Sequence, residues 1–315
     1  MAITENHRVT IKVCEMYYKD NLSQKEISYK LGISRPQISR ILTTARANNI
    51  VTIKIENPYK NETMLEKELI EMFGLNDALV FNTEGLTSEN ALIEIGRQAA
   101  TQIEVYIPNE SKVGIMSGRT ISELVKSIKG MDRNGLEFIP LIGGMGSSGL
   151  DWHANIITKV FADKVSGNYS YLNAPVMVKN SKSKEILISE PEIRNVLEKG
   201  AECDIAIVGI GQVNENSASV VAGSLSINEV EYLKKIGAVA SVCASYVNRE
   251  GEILKNDITD RSIGQTLKSL RKSKKIAIAI GESKIEAIRS VLKGGYINVL
   301  ITNVETAKGI INKTS

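Results

Sequence analysis

The chain has 315 residues, 43% of them apolar and 24% charged, enough for a large core plus an accessory module and ordinary for a globular protein. No stretch approaches the roughly 18 uncharged residues of a membrane span. The first residues lack the basic and apolar segments of a secretory leader, which makes a cytoplasmic protein the expectation, and Cys14, Cys203 and Cys243 form no C-x-x-C pair, which argues against a disulfide framework and a zinc site.

The net charge is +3, and it is unevenly placed. Residues 1–58 hold nine Lys or Arg against five Asp or Glu, whereas the remainder holds thirty against thirty-one. A small basic head on a neutral body points to a head that meets a polyanion.

Within the head, Val9, Val13, Met16 and Tyr17 fall at helical spacing, predicting a helix that ends near Asp20. Ser23-Gln-Lys-Glu26 is an S-x-x-E capping box opening a second helix with Ile27 and Leu31 inward. Gly32 supplies a tight turn, and Ser34-Arg-Pro-Gln37 opens a third helix with Pro36 in its first turn. Ile38, Ile41, Leu42 and Ala45 share one face of that helix, so Arg35, Gln37, Ser39, Arg40, Thr43 and Arg46 face outward. Two short capped helices around a glycine turn match a helix-turn-helix that lays its second helix in the major groove of double-stranded DNA. Arg and Gln suit guanine and adenine edges, while Ser23, Gln24, Lys25 and Ser39 suit phosphate oxygens. The candidate DNA-binding set is therefore Ser23, Gln24, Lys25, Ser34, Arg35, Gln37, Ser39, Arg40 and Thr43. Val51–Ile55 alternates and predicts a wing strand, completing a winged helix-turn-helix over 1–58. A helix over 61–73, stopped by Gly74, forms a linker (59–77) that could serve oligomerisation.

From Ala78 to the end, an apolar strand, a Gly or Ser turn and an amphipathic helix alternate. Strands are predicted at 78–81, 113–116, 137–142, 170–178, 204–210, 239–246, 276–280 and 298–302. Helices are predicted at 90–106, 120–129, 154–165, 191–199, 227–236, 261–271, 284–292 and 306–311. Asn248–Gly251 reads as a hairpin turn. The pattern is a doubly wound, mostly parallel α/β domain over 78–315.

Ligands in such sheets bind where strand ends meet helix starts. Ser117, Gly118 and Thr120 stand at a helix start where free N–H groups favour an anion, and Arg119 adds a full charge. Gly144-Met-Gly146-Ser-Ser-Gly149 satisfies G-x-G-x-x-G, but no acidic residue ends the next strand, so an anion or sugar loop fits better than a dinucleotide site. His153 follows that loop. Gly209 and Gly211 allow close approach of a ligand to the backbone. Lys284 would oppose a helix dipole unless an anion lies between them.

Head, linker and turns in this order resemble the SorC/DeoR-type sugar-binding transcriptional regulators, most closely the sorbitol/sorbose-operon branch. The clearest stretches are Lys293-Gly-Gly-Tyr-Ile-Asn-Val-Leu-Ile-Thr-Asn-Val-Glu-Thr-Ala307, Gly237-Ala-Val-Ala-Ser-Val-Cys243 and Tyr246-Val-Asn-Arg-Glu-Gly251. The resemblance implies an effector domain similar in fold to sugar-phosphate isomerases and deaminases. It implies a phosphorylated sugar as effector, with phosphate at Ser117–Thr120 and Lys284 and sugar contacts at Gly143, Gly144 and His153. Ile142 stands where some relatives carry Lys or Arg, which argues against a Schiff base or a second phosphate clamp there and for a single phosphate. Ser241 and Asn248 stand where the family usually has acidic residues, so a hydroxyl contact is lost or retuned. The expectation is a non-enzymatic, homodimeric or homotetrameric regulator of a carbohydrate-utilisation operon, without metal or cofactor. The alternative is a sugar-phosphate isomerase or deaminase fused to a DNA-binding head, for which the turns offer only His153, Asp204 and Glu282 as acid–base groups. A constitutive DNA-architectural protein would leave the anion turns without a purpose.

Overall fold

The computed structural model describes residues 3–54, 56–144 and 151–312. The chain divides into two compact units, Met1–Pro58 and Tyr59–Ser315.

The smaller unit packs α1 (Ile3–Tyr18), α2 (Gln24–Leu31) and α3 (Arg35–Ala47) around Val13, Cys14, Ile27, Ile38, Leu42 and Ala45. Both caps form from the residues expected. Ser23 N–H donates to Glu26 Oε2 at 2.8 Å and Glu26 N–H donates to Ser23 Oγ at 3.3 Å, while Ser34 N–H and Oγ–H both donate to Gln37 Oε1. Gly32, in the left-handed conformation at φ 62°, makes the turn between α2 and α3. The wing strand is a correction: residues 51–54 form no strand, Val51 lying in a bend with its N–H donated to Ala45 O, and Ile55 lies outside the described residues. Alternation makes a strand only when a neighbour supplies the ladder, and this unit has none among its described residues.

The larger unit opens with α4 (Lys60–Phe73), capped by left-handed Gly74. Leu65 and Leu69 tie it into the same core as Ala78 and Val80, so the predicted linker helix belongs to this unit. After it come β1 (Asp77–Phe81), α5 (Ser88–Gln102), β2 (Lys112–Ile115), α6 (Arg119–Ser127), β3 (Glu137–Pro140), α7 (Ala154–Val165), β4 (Asn168–Tyr169), α8 (Ser181–Ser189), α9 (Pro191–Ala201) and β5 (Ile205–Val208). The chain then runs through β6 (Gly211–Gln212), α10 (Ala218–Val221), α11 (Ile227–Lys235), β7 (Ala238–Val242), β8 (Ser245–Asn248), α12 (Asp257–Asp260), β9 (Lys274–Ile278), α13 (Ile285–Lys293), β10 (Val299–Asn303) and α14 (Val304–Asn312).

Seven strands form one parallel sheet in the order β1-β10-β9-β5-β2-β3-β4. Alternate strand residues serve opposite faces. Val113, Ile115, Ile205, Ile207, Ile276 and Ile278 meet α5, α6 and α7 through Ile95, Ile121 and Phe161, whereas Ala206, Val208, Ala277 and Leu300 meet α4, α13 and α14 through Leu69, Ile288 and Ile310. The chain moves outward from β2 through β3 to β4, then returns to β5 on the other side of β2. The carboxyl ends of β2 and β5 are therefore a topological switch point, where an open α/β sheet leaves a crevice.

Three predicted elements differ. Residues 239–246 are not one strand but the hairpin β7–β8, with β6 pairing antiparallel to β7. Its turn at Cys243-Ala244 puts Cys243 at φ 51°, a left-handed conformation that a cysteine seldom takes, so no turn residue marked it. Residues 170–178 contribute only isolated bridges, Gly144 to Pro175 and Met177 to Ser262, because Pro175 cannot donate to a ladder. The helix predicted at 261–271 does not form: Ile263 N–H donates to Val176 O and Gln265 N–H to Leu141 O, committing that backbone to extended pairing. Gly264 lies so close to Ile142 that a Cβ would fall 2.9 Å from its Cα. The hairpin turn read at Asn248–Gly251 is present, with Gly251 N–H donating to Asn248 O.

Candidate functional site

A cavity of about 1210 Å³ opens at the carboxyl edge of the parallel sheet. It collects the turns after β1, β2, β5, β9 and β10, as the switch-point geometry requires. Ser117, Gly118, Arg119 and Thr120 line it from the β2–α6 turn, Gly209 and Gly211 from the end of β5, Ser241 from β7, and Lys284 from the turn after β9.

α6 begins at Arg119 behind Gly118, and no side chain caps it. Its position is fixed by Gly96 on α5, where a Cβ would fall 2.5 Å from Glu123 Cβ and 2.6 Å from Glu123 C, so the two helix backbones touch. Thr120 and Ile121 are buried, and the first turn of α6 presents its backbone N–H groups with the positive end of the helix dipole at the cavity.

Lys284 comes from a turn that Thr306 holds: Thr306 Oγ1 accepts the Gly281 N–H at 2.9 Å, and Gly281 sits at φ 118° where a side chain is strained. Burial pushes the Lys284 ammonium below its ordinary pKa, and the Arg119 guanidinium pushes it the same way. Among the described residues neither cation has a carboxylate within ion-pair distance. Two unneutralised cations and an uncapped helix start make a recess whose chemistry suits a dianion such as a phosphate monoester.

Gly211 faces Ser241 across the β6–β7 pair, and a Cβ on it would fall 2.5 Å from Ser241 Oγ. Ile142, buried at 4% exposure, lines the cavity where a lysine or arginine would otherwise reach in. Gly143, Gly144 and His153 do not line it. Gly143 and Gly144 donate their N–H groups to Ile263 O and Ala174 O, and a Cβ on Gly143 would fall 2.6 Å from Ala174 O. His153 is the N-cap of α7. The rest of the glycine-rich loop, residues 145–150, lies outside the described residues.

The sequence reading missed the far wall. Asn303 Nδ2 donates to Thr83 Oγ1 at 2.8 Å and Thr83 Oγ1 donates to Glu305 Oε2 at 3.1 Å, all three residues lining the cavity beside Thr306. Asn303, Glu305 and Thr306 lie within the closing sequence signature, but nothing in their spacing marks a ligand site. Asp204, offered as an acid–base group, lies at the opposite end of β5 and accepts Lys112 N–H at 2.8 Å. Among the described residues no three of His, Cys, Asp or Glu gather as a metal site, and no helix is long and apolar enough to cross a membrane.

The smaller unit presents a second surface. Ser23, Lys25, Ser34, Arg35, Gln37, Ser39, Arg40 and Thr43 are exposed, and Gln24 is half-buried. The Gln37 carbonyl oxygen is engaged by Ser34, leaving its NH₂ for other partners, and Thr43 Oγ1 donates back to Ser39 O. Arg35, Arg40 and Arg46 carry the outward positive charge of α3.

A helix-turn-helix unit followed by a switch-point cavity that gathers cations defines a class of two-part transcriptional regulators, one part for the operator and one for a small effector. Residues 57–312 match the Sugar-bind family, described as "Putative sugar-binding domain", and the chain belongs to that family, the SorC/DeoR-type sugar-binding regulators. It is 28% identical to the deoxyribonucleoside regulator of Bacillus subtilis over 98% of both chains. It is 26% identical to the sorbitol operon regulator of Klebsiella pneumoniae over 98% of this chain and 99% of that one. The crystal structure of the full-length Klebsiella pneumoniae regulator, SorC, superposes with a TM-score of 0.76 at 27% identity, covering 97% of this chain and 98% of that one. A DeoR family transcriptional regulator from Listeria monocytogenes superposes at 0.74 with 29% identity, over 79% of this chain and 99% of that one.

Proposed function

We propose that the protein is a DNA-binding regulator of a carbohydrate-utilisation operon, and that it responds to a sugar carrying one phosphate, which it binds and does not transform. The observation that carries this reading is the pair Arg119 and Lys284, two cations in one cavity with no described carboxylate within ion-pair distance of either. Ile142 supports the single phosphate, because the side chain in that part of the wall is apolar. The phosphate is taken by the first turn of α6, Arg119 and Lys284, and the sugar extends toward Ser241 and the Thr83–Asn303 wall. The exposed face of α3 reads an operator, Arg35, Arg40 and the Gln37 amide at base edges, with Lys25 and the serines at phosphates. A two-fold operator needs at least two heads, so the working unit is a homodimer or homotetramer whose packing the effector shifts.

The test is fluorescence anisotropy on DNA from the promoter region beside the gene, with a panel of pentose and hexose phosphates. Binding that weakens steeply with salt and changes with one phosphosugar, but not with the free sugar, is expected. No response to any phosphosugar in DNA binding or melting temperature overturns the reading.

The same cation pair favours a second reading. A half-buried lysine beside another cation has an activated amine, so an imine with an open-chain sugar is the enzyme-like alternative. A borohydride-trapped adduct on Lys284, seen by mass spectrometry, or turnover of a phosphosugar would favour it.

A further inference from the structure

We propose that residues 213–226, between β6 and α11, form a strap across the cavity, and that the Ser217 hydroxyl on it selects the effector by hydrogen-bonding a sugar hydroxyl. The proposal rests on reading the cavity as a phosphosugar site.

The strap is anchored at both ends. Val213 and Leu225 pack with Val230, Leu233, Ala238 and Tyr246, and Glu215 pairs with Lys234 on α11. Its middle is closed on itself, with Ser224 N–H, Ser224 Oγ–H and Leu225 N–H all donating to Ser219 O. Its tip crosses to the other side, where Ala222 packs against Ile142 and Ala154. Ser217 lies between anchor and tip and lines the cavity.

Every polar group of Ser217 is used except one. Its N–H donates to Asn214 O, and its carbonyl accepts from Val220 N–H and Val221 N–H. The hydroxyl caps no helix, is shut off from solvent, and has no partner among the described residues. Buried hydroxyls are nearly always paired, so an orphan needs a reason. Ser217 lines the cavity, and a serine hydroxyl changes direction by rotation about χ1 alone. A hydroxyl both donates and accepts, which suits another hydroxyl. The strap bears no Lys, Arg or His, and its one charge, Glu215, is turned to Lys234. It therefore offers no positive side chain to a phosphate and suits the neutral end of the ligand. A site that hydrogen-bonds a hydroxyl rejects the analogue lacking it far more strongly than an apolar wall can.

The experiment uses the full chain, with inorganic phosphate, the tightest-binding phosphosugar of the panel and its mono-deoxy analogues, read by calorimetry. Ser217→Ala should weaken the phosphosugar about tenfold, leave inorganic phosphate unchanged, and bind one mono-deoxy analogue as the wild type does. Its melting temperature without ligand should equal or exceed that of the wild type, since no protein bond is lost. Unchanged phosphosugar affinity, an equal loss for inorganic phosphate, or a lowered melting temperature overturns the proposal. Lys284→Met separates the two readings: it should lose both inorganic phosphate and phosphosugar. If it loses neither, the phosphate site itself is wrong; if it loses both while Ser217→Ala loses nothing, only the selecting role of Ser217 fails.

Discussion

Arg119 and Lys284 reach the same cavity from the ends of β2 and β9, two strands that are not neighbours, and Arg119 helps hold the Lys284 ammonium below its ordinary pKa. β5 lies between them and ends in Gly209, where a Cβ would meet only Ile121 Cδ1 at 4.0 Å. The floor between the two turns is thus bare, with Arg119 exposed at its rim and Lys284 half-buried. Folding tolerates such an arrangement at a cost, which a bound anion would offset.

Removing one cation should therefore move stability and affinity in opposite directions. Lys284→Met keeps the stem volume and deletes the charge. Without ligand its melting temperature should stay level or rise, the relieved burial being worth about 1–3 kcal/mol. Phosphosugar affinity should fall by about one to two orders of magnitude, the loss of a charge-assisted contact. Calorimetry and thermal melts on the same samples check both; a lower melting temperature with full affinity would refute the assignment.

The Lys284 shift also sets a pH dependence. In the free protein its pKa is lowered, so between that pKa and the unfolded value the unfolded chain binds the extra proton, and this group's contribution to stability rises with pH across that window. A bound phosphate dianion favours the charged ammonium and raises the pKa, so affinity is greatest below the free-state pKa and falls as pH climbs through it toward the bound-state value. Below about pH 6 affinity falls again as the phosphate gains its proton. A bell-shaped affinity profile is expected, with the alkaline limb absent in Lys284→Met; the same limb in both would assign it elsewhere.

The head should separate into readers and anchors. Arg40→Ala should cost about 1–3 kcal/mol of operator binding and relax discrimination at one base pair, whereas Lys25→Ala should weaken binding evenly across sequences and reduce the salt slope by about one. Anisotropy titrations at several salt concentrations, on operator and scrambled DNA, distinguish them.

What the sequence disclosed was what local chemistry dictates. The boxes at Ser23 and Ser34, the stop at Gly74 and the apolar strand runs each depend on residues a few positions apart, and each formed near its expected place. The cation turns were legible because charge beside a helix start is locally anomalous. The misreadings have one physical source, tertiary pairing that overrides local pattern. Ile263, Leu267 and Leu270 fall at helical spacing, yet 262–265 is drawn into extended bridges against Leu141 and Val176, leaving only a 3-10 turn at Ser269–Lys272. Cys243 turns a chain without a turn residue, and 51–54 alternates without a strand to pair with. The Thr83–Asn303–Glu305 wall joins residues far apart in sequence and carries no local mark.

Gly96 gives the remaining prediction, because it tests whether the anion recess depends on how α6 is seated. The α5 and α6 backbones touch at this glycine, and a methyl group placed there meets Glu123 Cβ, its carbonyl carbon at 2.6 Å and Leu124 N at 2.7 Å. Two of these three atoms are backbone, so the clash cannot be relieved by a rotamer change and the helices must separate. Gly96→Ala gains helix propensity of about 1 kcal/mol within α5, but overpacking of about 1–3 kcal/mol opposes it, and the rigid partner puts the cost at the upper end. The melting temperature should fall. Because α6 carries Arg119 and Thr120 at its start, its displacement should also weaken inorganic phosphate binding, whereas operator affinity without effector should hold. Calorimetry with phosphate on the folded variant decides the point: full affinity after a measurable drop in melting temperature would mean that the first turn of α6 is not where the anion sits.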